Sequence, residues 1–128
     1  MSLKTKKIFI CGHNGMVGNS LLKLLKAKKF KNIIVKNRKD LDLTDFDKLN
    51  KFITKTKPHI IINCAGLVGG IMANNLNPLN FLRVNINIQL NIINSCEKNK
   101  IKNFINLGSS CIYPKFSKQP IKEDYLLD

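Results

Sequence analysis

The chain has 128 residues, 44% of them hydrophobic, with 22 basic against 8 acidic side chains and a formal net charge of +14. That length holds one compact domain with a real apolar core, and the apolar share excludes intrinsic disorder. The longest apolar runs (Ile8 to Cys11, Ile60 to Ile62) are too short to cross a bilayer, and the basic N-terminus meets Gly12, His13 and Asn14 too soon for a signal peptide, so no membrane association is expected.

Lys7-Ile-Phe-Ile-Cys11 reads as a buried strand that stops at Gly12. From Met16 to about Lys29, Val17, Leu21, Leu22 and Leu25 recur at helical spacing, with lysines mostly on the other side. Lys29 and Lys31 fall near the helix C-terminus, where cations suit the dipole. Residues 32–36 form a second strand, and Asp40-Leu-Asp-Leu43 is read as a short third. Thr44-Asp-Phe-Asp47 fits a capping box, with Asp replacing the usual Glu, that opens a helix to about Lys55. After Pro58, residues 59–64 give a fourth, fully buried strand, and residues 65–76 a loop rich in Gly and Asn. Asn77 and Pro78 look like N-cap and first residue of a long helix ending near Asn99, followed by a fifth strand at 103–107 and a polar tail. Strands alternating with helices imply right-handed crossovers and a parallel sheet covered on both faces.

The charge alone suggests a polyanionic partner. Twenty of the basic residues are Lys, however, and only Arg38 and Arg83 offer the bidentate fork that base and phosphate recognition favours. Lys, Asn and Ile together supply 54 residues, a bias that matches AT-rich coding sequence, and the lysines are scattered rather than interleaved with aromatics. No nucleic-acid partner is expected. Cysteines at 11, 64, 96 and 111 lack the spacing of a metal set or a redox dithiol, so reduced thiols in a cytoplasmic protein and no metal are expected.

The strongest signal is Gly12-His-Asn-Gly-Met-Val-Gly18, a GxxGxxG run with a strand before it and a helix after it. Its glycines suit a tight turn, backbone approach to a pyrophosphate and close helix–sheet packing, while the helix N-terminus presents amides to the anion. The alternative is a tight turn that holds no ligand. Twenty residues past Gly18 stands Arg38, flanked by Lys36 and Lys39, where an arginine accommodates the 2′-phosphate of NADP and an acid would favour NAD. Asp40 and Asp42 follow, and either can meet the ribose or adenine if Arg38 points elsewhere. Asn63-Cys-Ala65-Gly66 closes the fourth strand with small residues that let a cofactor lie on the sheet edge. Gly108-Ser109-Ser110-Cys111 ends the fifth strand, where open α/β sheets place their ligand crevice; a serine there can bond a carbonyl, and a thiol can move a proton.

Three segments make a more specific match. Residues 12–18, Val68-Gly-Gly-Ile-Met-Ala-Asn-Asn75 and Leu107-Gly-Ser-Ser-Cys-Ile-Tyr-Pro-Lys115 resemble the GDP-L-fucose synthase family, NADPH-dependent epimerase/reductases of the extended short-chain dehydrogenase/reductase group. The resemblance covers nearly the whole chain. It implies a Rossmann-like doubly wound α/β fold with strand order 3-2-1-4-5, of which residues 1–128 would be the NADP-binding part. It places NADP pyrophosphate on Gly12, His13, Asn14, Gly15, Met16, Val17 and Gly18, the 2′-phosphate on Arg38 and the adenine beside Asp42 and Leu43. Ala65 and Gly66 would support the dinucleotide, and Leu107, Gly108, Ser109 and Ser110 would line the nicotinamide side.

By the same resemblance Ser109 is the catalytic serine that bonds the C4 carbonyl of GDP-4-keto-6-deoxy-D-mannose, and Cys111 the cysteine that moves protons at C3 and C5. Asn14 stands where many members carry a basic residue. The family's Tyr-xxx-Lys pair is not found: Tyr113 is followed four positions on by Ser117, and position 129 after Tyr125 is beyond the sequence. The chain is therefore expected to be the N-terminal, cofactor-binding part of such an enzyme and not to run the full reaction alone. The resemblance further implies a homodimer built on the helix from Asn77 to Asn99, and strand 103–107 is expected to form an open, apolar sheet edge.

Overall fold

The structure, a computed structural model, describes residues 3–126, so the outermost positions of the expected 1–128 domain lie outside it. Four strands, β1 (Ile8–Cys11), β2 (Ile33–Val35), β3 (Ile60–Asn63) and β4 (Asn103–Asn106), form one parallel sheet in the order β2-β1-β3-β4. The register is tight: Ile8 pairs with Ile33 and Ile60, and Asn63 pairs with Cys11 and Asn106. The helices are α1 (Met16–Ala27), α2 (Phe46–Thr56), α3 (Ile71–Leu76) and α4 (Pro78–Lys98).

Alternation along the strands divides the core. Ile8 and Ile10 meet Leu25 and its neighbours on α1, whereas Phe9, Cys11 and Ile61 meet Leu49 and Ile53 of α2 and Ile88 and Ile92 of α4. β1 is therefore buried along its whole length, and its uninterrupted run Ile-Phe-Ile-Cys is the composition a two-sided strand requires. β4 is the edge expected from the sequence, with Ile105 51% exposed on the α1 side of the sheet.

Three expectations change. Residues 40–43 form no strand, so the sheet runs 2-1-4-5 in the expected numbering: Asp40 and Leu41 both bond back to the Asn37 carbonyl, and Asp42 Oδ1 accepts from the Thr44 amide and hydroxyl. Those turns compete with strand pairing while still delivering Leu41 and Leu43 to the core. The N-cap of α2 is Asp45, not Thr44; its carboxylate accepts from the Lys48 amide at 3.0 Å. Within the expected loop 65–76, α3 forms over Ile71–Leu76 with Gly70 at its N-cap, held by the Asn74 amide on the Gly69 and Gly70 carbonyls.

The C-terminal ends of α1 and α4 share one design. Phe30 N–H returns to Leu25 O and Lys29 N–H to Lys26 O, while Ile101 N–H returns to Cys96 O and Lys100 N–H to Glu97 O. This is the Schellman pattern, with Phe30 packed with Leu25 and Ile101 with Cys96 in the two cores. Lys29 and Lys100 occupy the left-handed position at φ 62° and 56°, where glycine is usual. Lys57 after α2 is also left-handed, at φ 48°. Each of these lysines stands at the negative end of a helix dipole. Because the sheet is parallel, every helix-to-strand connection reaches the same end of the molecule. Twelve of the 20 lysines fall there, in residues 3–7, 26–32, 55–59 and 97–103, with Glu97 the single acid. Among the described residues no helix is long and apolar enough to cross a membrane.

Candidate functional site

The strand-to-helix turn is built by two close approaches. Gly12 has φ +76°, and a Cβ on it would lie 2.7 Å from the Ala65 Cα and nitrogen. Gly18, inside α1, would drive a Cβ into the Gly12 carbonyl. Gly15 plays a different part: it is the N-cap of α1, with no side chain capping the first turn. The amides that a serine or aspartate cap would have engaged remain presented by the turn.

Beside this turn, at the C-terminal ends of the strands, lies a crevice of about 230 Å³. Of the residues named from sequence, Gly12, His13, Asn14, Gly15, Arg38, Asp42, Leu43, Ala65 and Gly66 line it. Met16 and Val17 are exposed on the first turn of α1, and Gly18 is buried behind the Gly12 carbonyl, so these three frame the crevice without lining it. Leu107, Gly108, Ser109, Ser110 and Cys111 lie outside it, exposed beyond the end of β4.

The rim is tied by polar side chains. Asn14 Nδ2 donates to Asn37 Oδ1 at 2.9 Å, joining the glycine turn to the connection after β2. Arg38 Nε sits 3.6 Å from Asp42 Oδ2, with the arginine side chain 73% exposed. The Thr44 amide and hydroxyl, with a further contribution from Arg38, hold the Asp42 carboxyl below its ordinary range. From α4, Asn91 donates to the Leu43 carbonyl at 3.0 Å, and Asn85 grips both backbone groups of Leu67, at 2.7 and 2.9 Å. Two sides of the crevice are thus pinned to one helix.

At the end of β4, Ser109 caps a single 3-10 turn (Ser110–Ile112), its Oγ accepting from the Cys111 amide at 3.2 Å. The four thiols are free; Cys11 and Cys96 are buried and Cys111 exposed. Burial pushes the Cys11, Cys64 and Cys96 thiols up, Cys11 the furthest, reinforced by its Cys64 and Cys96 neighbours. These three are built to stay protonated and inert.

Sequence reasoning missed the apolar end of the crevice. Phe9, Leu41, Leu67, Val84 and Ile88 line it, with Thr44 at its edge and Lys36 on the rim beside Arg38. The signal was present in α4: Val84, Ile88 and Asn91 recur at three- and four-residue steps, so the amide at 91 falls on the inward stripe.

The family model described as "NAD dependent epimerase/dehydratase family" matches residues 8–128. GDP-L-fucose synthase 1 of Arabidopsis thaliana is 45% identical over 127 residues, and the GDP-L-fucose synthase of Escherichia coli 36% over 125. Those matches cover 99% and 98% of this chain, which spans only 39% of either relative's length. Among solved structures, a GDP-mannoheptose C4 reductase from Campylobacter jejuni with NADP bound superposes with a TM-score of 0.91 at 34% identity, over 99% of this chain and 38% of that one. An NADP-bound GDP-L-fucose synthetase from Naegleria fowleri superposes at 0.85 with 27% identity, over 99% and 41%. The glycine turn, the parallel sheet and a family match across 8–128 lead to one conclusion: the chain belongs to the NAD dependent epimerase/dehydratase family.

Proposed function

We propose that this chain is the NADP-binding part of an NADPH-dependent epimerase/reductase that converts GDP-4-keto-6-deoxy-D-mannose to GDP-L-fucose. One observation carries the reading. Three sequence-distant segments, 12–15, 38–43 and 65–66, line one crevice at the C-terminal ends of parallel strands. The residues fit the cofactor. Gly12 and Gly18 make a cradle that a Cβ would fill, and the uncapped α1 N-terminus offers amides to a pyrophosphate. Arg38 and Lys36 put two cations on the rim where a 2′-phosphate would be read, and the apolar end around Leu41, Val84 and Ile88 suits an adenine.

When bound, NADPH supplies a hydride to the sugar carbonyl. Ser109 would bond that carbonyl and Cys111 would shift protons on the adjacent carbons; the exposure of both leaves them open to a substrate. Tyr113 is followed four positions on by Ser117, so it is not the tyrosine of a Tyr-xxx-Lys pair. The crevice residues by themselves also fit a second reading, a non-catalytic dinucleotide-binding module that works with a partner chain. Restoration of GDP-L-fucose formation by a polypeptide carrying a Tyr-xxx-Lys pair would support either arrangement, and its failure despite NADPH binding would favour another substrate. We also infer a homodimer through α4 and, from four unpaired thiols, a reducing, cytoplasmic setting.

The test is thermal unfolding of the 128-residue chain against NADPH and NADH. At a hundredfold excess over its Kd, NADPH should stabilise the fold by about 2.7 kcal/mol. NADH at the same concentration should do markedly less, and Arg38→Ala should erase the difference. No stabilisation by either nucleotide, or an equal one, would overturn the reading.

A further inference from the structure

We propose that Asn63 and Asn106 form a positioning pair that holds the Leu107–Ser110 segment in register with the crevice, and so sets the nicotinamide half of the site against the adenosine half. The inference rests on the dinucleotide reading of the crevice.

β3 reads Ile-Ile-Ile-Asn, and the closing Asn63 is 2% exposed. On its face of the sheet Phe9, Cys11, Ile34, Ile61 and Phe104 are apolar and belong to the core packed against α2 and α4, and Asn106, its neighbour on β4, is the other polar residue. An aliphatic side chain at 63 would serve that packing without the cost of burying an amide. The amide is kept satisfied instead, and by two different parts of the molecule. Asn63 Oδ1 accepts from the Ala65 amide at 3.0 Å, and its Nδ2 donates to Asn106 Oδ1 at 2.8 Å. Ala65 lines the crevice and backs directly onto Gly12. Asn106 is the last residue of β4, and the next amide, Leu107 N–H, bonds to the Asn63 carbonyl at 3.1 Å. One residue therefore touches both halves of the proposed site, although neither asparagine lines the crevice.

The placement matters because the segments leaving β3 and β4 part here. Residues 65–67 turn toward Gly12 and Asn85, while the hydrogen bonds formed within 108–112 are local ones made by Ser109 and its neighbours. Among the described residues, the hydrogen bond from the Leu107 amide to the Asn63 carbonyl and the side-chain hydrogen bond from Asn63 to Asn106 tie this end of β4 back to the sheet. Asn106 is exposed and Asn63 buried, so the rigidity comes from Asn63: a satisfied buried amide rigidifies its surroundings, and rigid second contacts are what keep reactive groups in place.

The experiment is calorimetric titration of the 128-residue chain with NADPH and with adenosine 2′,5′-bisphosphate, which carries the adenosine half and no nicotinamide. Wild type should bind both, NADPH more tightly. Asn106→Ala should weaken NADPH about tenfold and leave the bisphosphate within about twofold. Asn106→Asp keeps an acceptor for Asn63 Nδ2 and should restore NADPH to within about threefold of wild type. Adding Asn63→Ala to Asn106→Ala should cost no more NADPH affinity than Asn63→Ala alone. Equal weakening of both ligands, or no change in either, would overturn the pair's role. Should Asn106→Ala fold poorly, the side-chain amide resonance of Asn63 in wild type decides: it should shift with NADPH and not with the bisphosphate, and the reverse would overturn the proposal. A wild type that binds neither ligand would instead overturn the dinucleotide reading itself.

Discussion

Asp42 shows how one side chain can organise a site from its edge. Its carboxylate takes the Thr44 amide and hydroxyl and faces Arg38, and these partners lower its pKa from the ordinary 3.8. A depressed folded pKa contributes stability that is complete above the unfolded value and lost as pH falls through the folded one. Wild type should therefore lose stability as pH drops below about 4, and Asp42→Asn should show a shallower loss over that range in urea melts at stepped pH. At this scale the sequence was legible wherever a residue type had one plausible use. Gly12 and Gly18 were readable because backbone approach admits nothing larger. The Asp40–Leu43 alternation was misread, since strand period and Asx turn place the same leucines inward and only the Asp42–Thr44 bonds choose between them.

Elements were clearest where a long apolar period ran, as in α4 with its Pro78 start, and least clear in α3, whose Gly and Asn composition hides a single helical turn and a half. The capping lysines belong to this scale. Lys29 bears the left-handed φ of a Schellman motif whose hydrogen bonds and apolar contact are already complete. An L side chain there costs about 1–2 kcal/mol of local strain, which the helix dipole offsets by about 0.3–1 kcal/mol. Lys29→Gly should accordingly raise stability, by a few tenths of a kcal/mol and at most about 1 kcal/mol, net of the glycine's extra freedom in the unfolded chain. A rightward shift of the urea midpoint at unchanged slope would register it. The crevice-lining residues of α4 were hidden from the sequence for a related reason: Val84 and Ile88 look like ordinary core, and only the tertiary fold shows that the core ends at an opening there.

For the whole molecule, the outward side of α4 carries an uncovered apolar surface. Leu79, Leu82, Ile86, Leu90 and Ile93 are all exposed, Ile86 to 46%, and their three- and four-residue steps make a continuous apolar seam. A seam of that kind packs well against a copy of itself about a two-fold axis. Wild type should scatter light as a dimer at tens of micromolar, and Ile86→Lys should shift it to monomer without changing helical content. A monomeric wild type would leave the seam to a different occupant.

The lysine-rich end has a consequence for how a small anion finds its place. Far from the protein, an anionic dinucleotide meets a strongly positive body and is drawn in from every side. Closer in, the charge is lopsided: the helix-to-strand end is almost all lysine, whereas the crevice end mixes Lys36, Arg38 and Lys39 with Asp40, Asp42, Asp45 and Asp47. Long-range attraction thus gathers the ligand while pointing it toward the wrong pole. Salt that shortens the Debye length to about 8 Å removes that misdirection and leaves the crevice's own short-range contacts to choose the landing site.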